Sequence, residues 1–183
     1  TQVTSLQTIR DGVAYPTKVK QSGYIVAWTV GLSMISRDPA MERRAIHKFD
    51  GAYGTTRAGI VVLKPVGRHR LFKWQAVAAS PIVHLQPYLG QLVQFVLLQP
   101  LRVVKGETIA LTVPTWAPVL SIALPTKTFA YRQSRATGCT ATTPPPAAQA
   151  TGQTVVYGCN YPGNRVEYSA TEVTDPVAMN PVH

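Results

Sequence analysis

The stretch Tyr24-Ile25-Val26-Ala27-Trp28-Thr29-Val30 sets apolar residues against small or polar ones with a period of two. That is the spacing of a half-buried β-strand, not the 3.6-residue spacing of a helix. Working outward, Ile60-Val61-Val62-Leu63 and residues 71–79 follow as strands. Residues 92–98 (Leu-Val-Gln-Phe-Val-Leu-Leu) and 109–113 (Ile-Ala-Leu-Thr-Val) carry the strongest signal, rich in β-branched and aromatic side chains. Shorter candidates lie at 3–9, 119–124, 127–132, 153–158 and 165–173. About ten strands are expected.

Turn chemistry separates them. Lys64-Pro65-Val66-Gly67, Ser80-Pro81, Gln86-Pro87-Tyr88-Leu89-Gly90, Lys105-Gly106 and Tyr161-Pro162-Gly163-Asn164 each mark a break. Proline deletes a ladder hydrogen bond, so the fifteen prolines belong at strand ends and edges. Many short strands with regular turns predict an all-β, antiparallel β-sandwich. At most one short helix is expected, opening at Asp38-Pro39 and running to about Ile46 on a surface loop. The 183 residues suit a single domain over 1–183.

Charged residues make up only 14% of the chain, well below the usual quarter or so. Lys and Arg still outnumber Asp and Glu by 18 to 8, giving a formal charge of +10. Such a surface favours anionic partners, an anionic polysaccharide or surface among them. Nucleic acid is disfavoured. The densest groups, Arg43-Arg44 and Arg68-His69-Arg70, come with no aromatic RNA-binding motif and no DNA-reading helix.

The two cysteines, Cys139 and Cys159, bracket a Pro-rich segment holding Pro144, Pro145 and Pro146. They are expected to close a loop over 138–160, worth about 3 kcal/mol in the chain-entropy model; two reduced, buried thiols are the alternative. No run of 18 apolar residues is present, so no helical membrane span is expected. The chain starts at Thr1 without Met, as removal of a signal peptide would leave it, although a shortened chain would look the same.

Tests for chemistry come back empty. The carboxylates Asp11, Asp38, Glu42, Asp50, Glu107, Glu167, Glu172 and Asp175 form no recognisable acid–base motif. Glu107 follows Lys105-Gly106 and is read as closing a turn, and Glu167 and Glu172 would face opposite sides of one regular strand. His47, His69, His84 and His183 lack metal-ligand spacing; His84 is read as lying on the polar side of its strand. No G-x-S-x-G elbow and no clustered calcium ligands occur. Gly51-Ala52-Tyr53-Gly54 reads as an aromatic loop, not a phosphate cradle. The expectation is a protein that is not an enzyme and carries no cofactor or metal.

Aromatic residues are the remaining lead. Trp28 and Trp74 sit among apolar strand neighbours and are read as core. Trp116, in Pro114-Thr115-Trp116-Ala117-Pro118, could cap the sandwich edge or meet a partner. With Tyr88 and Tyr53 it would make a partner- or ligand-contact face. The stretch Thr1–Arg10 alternates through Val3, Leu6 and Ile9. It reads as an exposed strand able to enter a neighbour's open sheet edge, or as an ordinary edge strand of its own domain.

The run Pro100-Leu-Arg-Val-Val-Lys-Gly-Glu-Thr-Ile-Ala-Leu-Thr-Val-Pro114 resembles the "V-x-K-G-D/E-x-I-x-L" turn-into-strand piece of extracellular jelly-roll sandwiches. With Ser80-Pro81, the Trp116 segment and the Cys139–Cys159 tail ending in Tyr168-Ser-Ala-Thr171, the pattern over about 58–173 is similar to secreted actinobacterial β-sandwich proteins of no assigned activity. The resemblance implies a jelly-roll-like fold and a secreted, extracellular or cell-surface location. It transfers no functional residue. The function expected is a non-catalytic extracellular structural protein, a subunit of a filament, pilus-like fibre or surface assembly, self-associating and with both termini held. The alternative is a carbohydrate- or surface-binding module.

Overall fold

The computed structural model describes residues 1–68, 72–141 and 144–176. Fourteen strands occur there: β1 (Val3–Arg10), β2 (Val13–Ala14), β3 (Gly23–Gly31), β4 (Arg57–Pro65), β5 (Lys73–Ala79), β6 (Val83–His84), β7 (Leu92–Val103), β8 (Thr108–Val113), β9 (Leu120–Ser121), β10 (Ala130–Gln133), β11 (Thr154–Val156), β12 (Cys159–Pro162), β13 (Arg165–Val166) and β14 (Tyr168–Thr174). One α-helix, α1, spans Pro39–Tyr53. The chain is all-β and antiparallel, as expected. Several of the extra strands are two-residue pairings too short to leave a periodic signal.

A large sheet runs in the order β11-β5-β4-β8-β1-β10-β12, with β2 beside β1 and β6 beside β4. A three-stranded sheet runs β14-β3-β7. The two edge strands of the large sheet, β11 and β12, are separated only by Tyr157 and Gly158. The two edges must therefore meet, and the sheet curls nearly into a barrel. The Tyr157 N–H donates to the Phe72 carbonyl on one side (2.8 Å), and the Gly158 N–H to the Arg135 carbonyl on the other (2.8 Å).

Curling gives the molecule two apolar interiors. Ile60 and Val62 of β4, Ile109 and Leu111 of β8, and Trp28 and Val30 of β3 pack between the two sheets. Val61, Leu63 and Ala110 point the other way and join Leu6, Trp74, Ala76 and Tyr157 inside the curl. Strands buried on both faces read as unbroken apolar runs, which is why Ile60-Val61-Val62-Leu63 does not alternate. Period-two patterning holds for β3 and β5, whereas β1, β4 and β8 depart from it.

Inside the disulfide segment, Gln149 and Tyr157 are fixed by polar contacts. The Tyr157 hydroxyl donates to Gln149 Oε1 (2.6 Å), the Gln149 N–H to Thr4 Oγ1 (2.9 Å), and Thr4 Oγ1 to Thr112 Oγ1 (3.0 Å). Every member is buried, and buried polar groups persist only when bonded in this way. Cys139 and Cys159 are joined, with Cα atoms 5.2 Å apart.

Two expectations are corrected. First, β1 is neither exposed nor an edge. It pairs with β8 through Val3↔Val113 and with β10 through Leu6↔Arg132; Val3 and Leu6 are buried and Ile9 half-buried. Its polar residues Thr4, Ser5 and Gln7 are buried too, so alternation of polar and apolar residues did not signal a solvent face. Second, the helix is not short. Asp38 caps it by accepting from the Ala40 and Met41 N–H groups (2.7 and 3.0 Å), and it continues through the segment read as an aromatic loop until Gly54, at φ 83°, ends it. Phe49 and Asp50 hold that extra length against Trp116. Residue 71, at the start of the expected strand 71–79, lies outside the described residues, and so do His69, Arg70 and the stretch 177–183 with His183. Glu107 does close its turn, its Oε2 accepting the Val104 N–H (2.8 Å). His84 is exposed on β6.

Candidate functional site

The candidate site lies where the small sheet fails to cover the large one. β7 is an edge strand of the three-stranded sheet. Its register against β3 passes from Ile25↔Leu101 to Ala27↔Val96, so Leu97, Leu98, Gln99 and Pro100 face Val26 alone. This wide bulge sits where a proline and an edge allow it. Facing it is Ser80-Pro81, the segment that follows β5 of the large sheet.

Between them opens a cleft of about 710 Å³, lined by Trp28, Phe95, Leu97 and Leu101 from the small sheet and by Ala79, Ser80, Pro81 and Val83 from the large one. Gln94, Val96, Leu98 and Gln99 form the β7 rim. No lining residue is charged. Leu98 is 99% exposed and Val96 74%. Leu92, on the same strand, and Ile82, next to Pro81, are also exposed.

Local packing fixes the walls. The Trp28 and Phe95 rings stand 4.9 Å apart, and Tyr88 meets Phe95 edge-on at 5.4 Å. Ser80 Oγ accepts the Ile60 N–H (2.9 Å) and donates to the Pro81 carbonyl (3.0 Å), so it is a structural clip. Gly59 makes the clip possible: a methyl there would stand 2.9 Å from Ser80 Oγ and from Ile82. The buried Trp28 Nε1 has no hydrogen-bond partner. The cleft's lining holds no titratable side chain, and its walls are shaped by apolar groups.

The residues singled out from sequence do not converge here. Trp116 is buried (3% exposed), its Nε1–H donating to Asp50 Oδ1 at 2.9 Å and its ring 5.1 Å from Phe49. Tyr53 stacks on Phe49 at 6.4 Å at the end of α1. Tyr88, half-buried, supports the cleft through Phe95. The three do not form a free aromatic face. Trp116 is covered by Asp50 and Phe49 of α1 and, with Thr1, Ile35 and Pro118, lines a pocket of about 230 Å³. Among the described residues no group of histidine, cysteine and carboxylate side chains could hold a metal.

A smaller pocket of about 120 Å³ includes Arg10, Lys18, Ser169 and Glu172. One carboxylate oxygen of Glu172, Oε1, is shut off from solvent without a partner, and that burial raises its pKa.

The cleft was not foreseen in the sequence. Its one signal was Leu92-Val-Gln-Phe-Val-Leu-Leu98, which holds a single polar residue and is followed by Gln99-Pro100. An apolar run ending at a strand proline marks an exposed edge. In comparisons with known proteins, no family model, no curated protein and no solved structure matches this chain.

Proposed function

We propose that this chain is a non-catalytic extracellular structural protein that self-associates, with the apolar cleft beside β7 as the contact between copies. The observation that carries the reading is the pairing of a knob and a hole on one surface. Leu98 stands fully exposed at the rim of an uncharged cleft. A two-fold axis would place each copy's Leu98 in the other's cleft, the self-complementarity an isologous interface requires. Apolar patches of this kind on a soluble chain mark interaction sites. In a chain of charge +10, an uncharged surface is also where copies repel least.

The disulfide favours an oxidising, extracellular compartment. No described helix is long and apolar enough to cross a membrane. The resemblance to secreted actinobacterial β-sandwich proteins agrees. Insertion of β1 into a neighbour loses support, because β1 is already paired on both sides.

Sedimentation velocity tests the reading. The protein is expected to dimerise or assemble further in the micromolar range. Leu98→Asp with Val96→Asp should weaken association at least tenfold, because a charge would be buried in an apolar seat. A wild-type chain that stays monomeric at hundreds of micromolar, or a variant that associates as before, overturns it.

A further inference from the structure

One end of the sandwich collects cations that form no ion pair among the described residues. Among the described residues only two ion pairs form, Arg102–Asp175 and Arg165–Glu167. The carboxylates are spent on structure. Asp38 caps α1, Glu42 accepts the Ile35 N–H, Asp50 holds Trp116, Glu107 holds its turn, and Glu167 accepts from Ser121. With Asp175 on Arg102, six of the eight are engaged; Asp11 and Glu172 remain.

Backbone pairing brings the free cations together. The Val19 N–H donates to the Glu107 carbonyl (2.8 Å) and the Gly106 N–H to the Val19 carbonyl (3.0 Å). That strap sets Lys18 and Lys20 beside Lys105. On the other side of β8, the Leu63↔Thr108 pairing puts Lys64 next to the same turn. On β5, Lys64↔Gln75 and the Val66 N–H bond to the Lys73 carbonyl place Lys73 diagonally across from Lys64 on the same face. Arg68 follows in the hairpin loop. All six are exposed. Lys18↔Thr108 and Leu63↔Thr108 set Lys18 and Lys20 on the sheet face opposite Lys64 and Lys73, so the six cations edge both faces of the sheet's end, across four neighbouring strands that span about 14 Å at the usual spacing. The carboxylates near it are occupied or enclosed: Glu107 is buried against Val104, Asp175 is held by Arg102, and Glu172 shares the small pocket with Lys18.

We propose that this row is a docking surface for an anionic polysaccharide, a polymer carrying repeated carboxylate or sulfate groups. A row of six cations matches a chain of charges better than a single anion. Single-stranded nucleic acid would need free ring faces for base stacking, and each ring at this end already has a face engaged, although Tyr24 is 44% exposed. Phe72 lies under the Arg132 guanidinium at 3.5 Å, Tyr24 under Arg102 at 5.0 Å, and Tyr15 against Trp74. No helix stands there to enter a DNA groove. The surface is separate from the cleft, and the proposal does not depend on self-association.

The test measures binding of the whole protein to immobilised heparin and to polygalacturonate at low and at raised salt. Binding is expected at low salt and should weaken as salt screens it. Lys64→Glu with Lys105→Glu should weaken it at least tenfold. Arg43→Glu with Arg44→Glu on α1 makes the same change in net charge and should cost less than twofold. If the first pair lowers the melting temperature, Lys64→Gln with Lys105→Gln replaces it and should still weaken binding severalfold. Equal losses in the two pairs, no retention of either polysaccharide, or tighter binding of duplex DNA or phosphatidylserine vesicles would overturn the proposal.

Discussion

Trp116 and Leu98 exchanged the roles their neighbours in sequence implied. Trp116 lies between two prolines in a turn, yet it is buried because Asp50 and Phe49, more than sixty residues earlier, meet it. Leu98 closes the apolar run of an apparent core strand and is fully exposed, because the bulge it belongs to turns it outward. Partners far along the chain decide such cases, and a local window does not contain them. Glu172 is another: nothing around it in sequence marks a carboxylate with an enclosed oxygen. Its folded pKa lies above the unfolded value, so the folded state holds this proton more tightly. The stability this contributes is present below the unfolded pKa and is lost as pH rises through the folded one. Glu172→Gln should therefore raise the melting temperature at pH 7 and change little near pH 3.5. Arg10 and Lys18 share the pocket, so the comparison belongs at matched ionic strength. A variant that melts lower at pH 7 would show that Glu172 is satisfied as the anion.

At the scale of elements, strand positions were legible and strand environments were not. β3, β4, β7 and β8 stand where Tyr24–Val30, Ile60–Leu63, 92–98 and 109–113 were read, since β-branched and aromatic residues between turn signals have few other places to go. What period two cannot tell is whether the second face is wet. β1 has polar residues at alternate positions and is buried on both faces. Its Gln7 is fully bonded, donating to the Ile9 and Ala130 carbonyls and accepting the Val166 N–H. The disulfide loop carries its own consequence. The bond closes a segment that includes β11, one of the two strands that complete the curl. Replacing Cys139 and Cys159 together by Ser should cost about 3 kcal/mol in urea unfolding. The cost should come with faster proteolysis near Pro144–Pro146. An unchanged midpoint would mean that Gln149 and Tyr157 hold the loop without the bond.

At the scale of the whole molecule, tyrosines report on closure. Tyr157 and Tyr168 are buried, and burial raises both pKa values; burial pushes Tyr131 up to about 12. They lie inside the curl, between the sheets, and where β10 meets β12. In the unfolded chain tyrosine ionises near pH 10. Raised folded values mean that stability is fully present below about pH 10 and falls as pH climbs toward 12 and above. Tyr131 alone corresponds to a loss of about 2 kcal/mol by pH 12. Urea midpoints should fall steeply from pH 9.5 to pH 12, with late tyrosinate absorbance appearing together with unfolding. Tyrosinate absorbance completed near pH 10 in a protein that stays folded would contradict the buried positions.

The sequence alone determined that the chain is all-β, where most strands and turns lie, which cysteines could pair, and that it is strongly basic. These are local or additive properties: side-chain shape, turn chemistry, a count of charges. Only the tertiary structure decided that the large sheet curls until β11 meets β12, that β1 is interior, and that Trp116 is covered. It alone opened the cleft at Leu98 and ranged six cations across four strands. Each of those depends on which surfaces meet across long stretches of chain, and burial is a property of the pair of surfaces, not of either one.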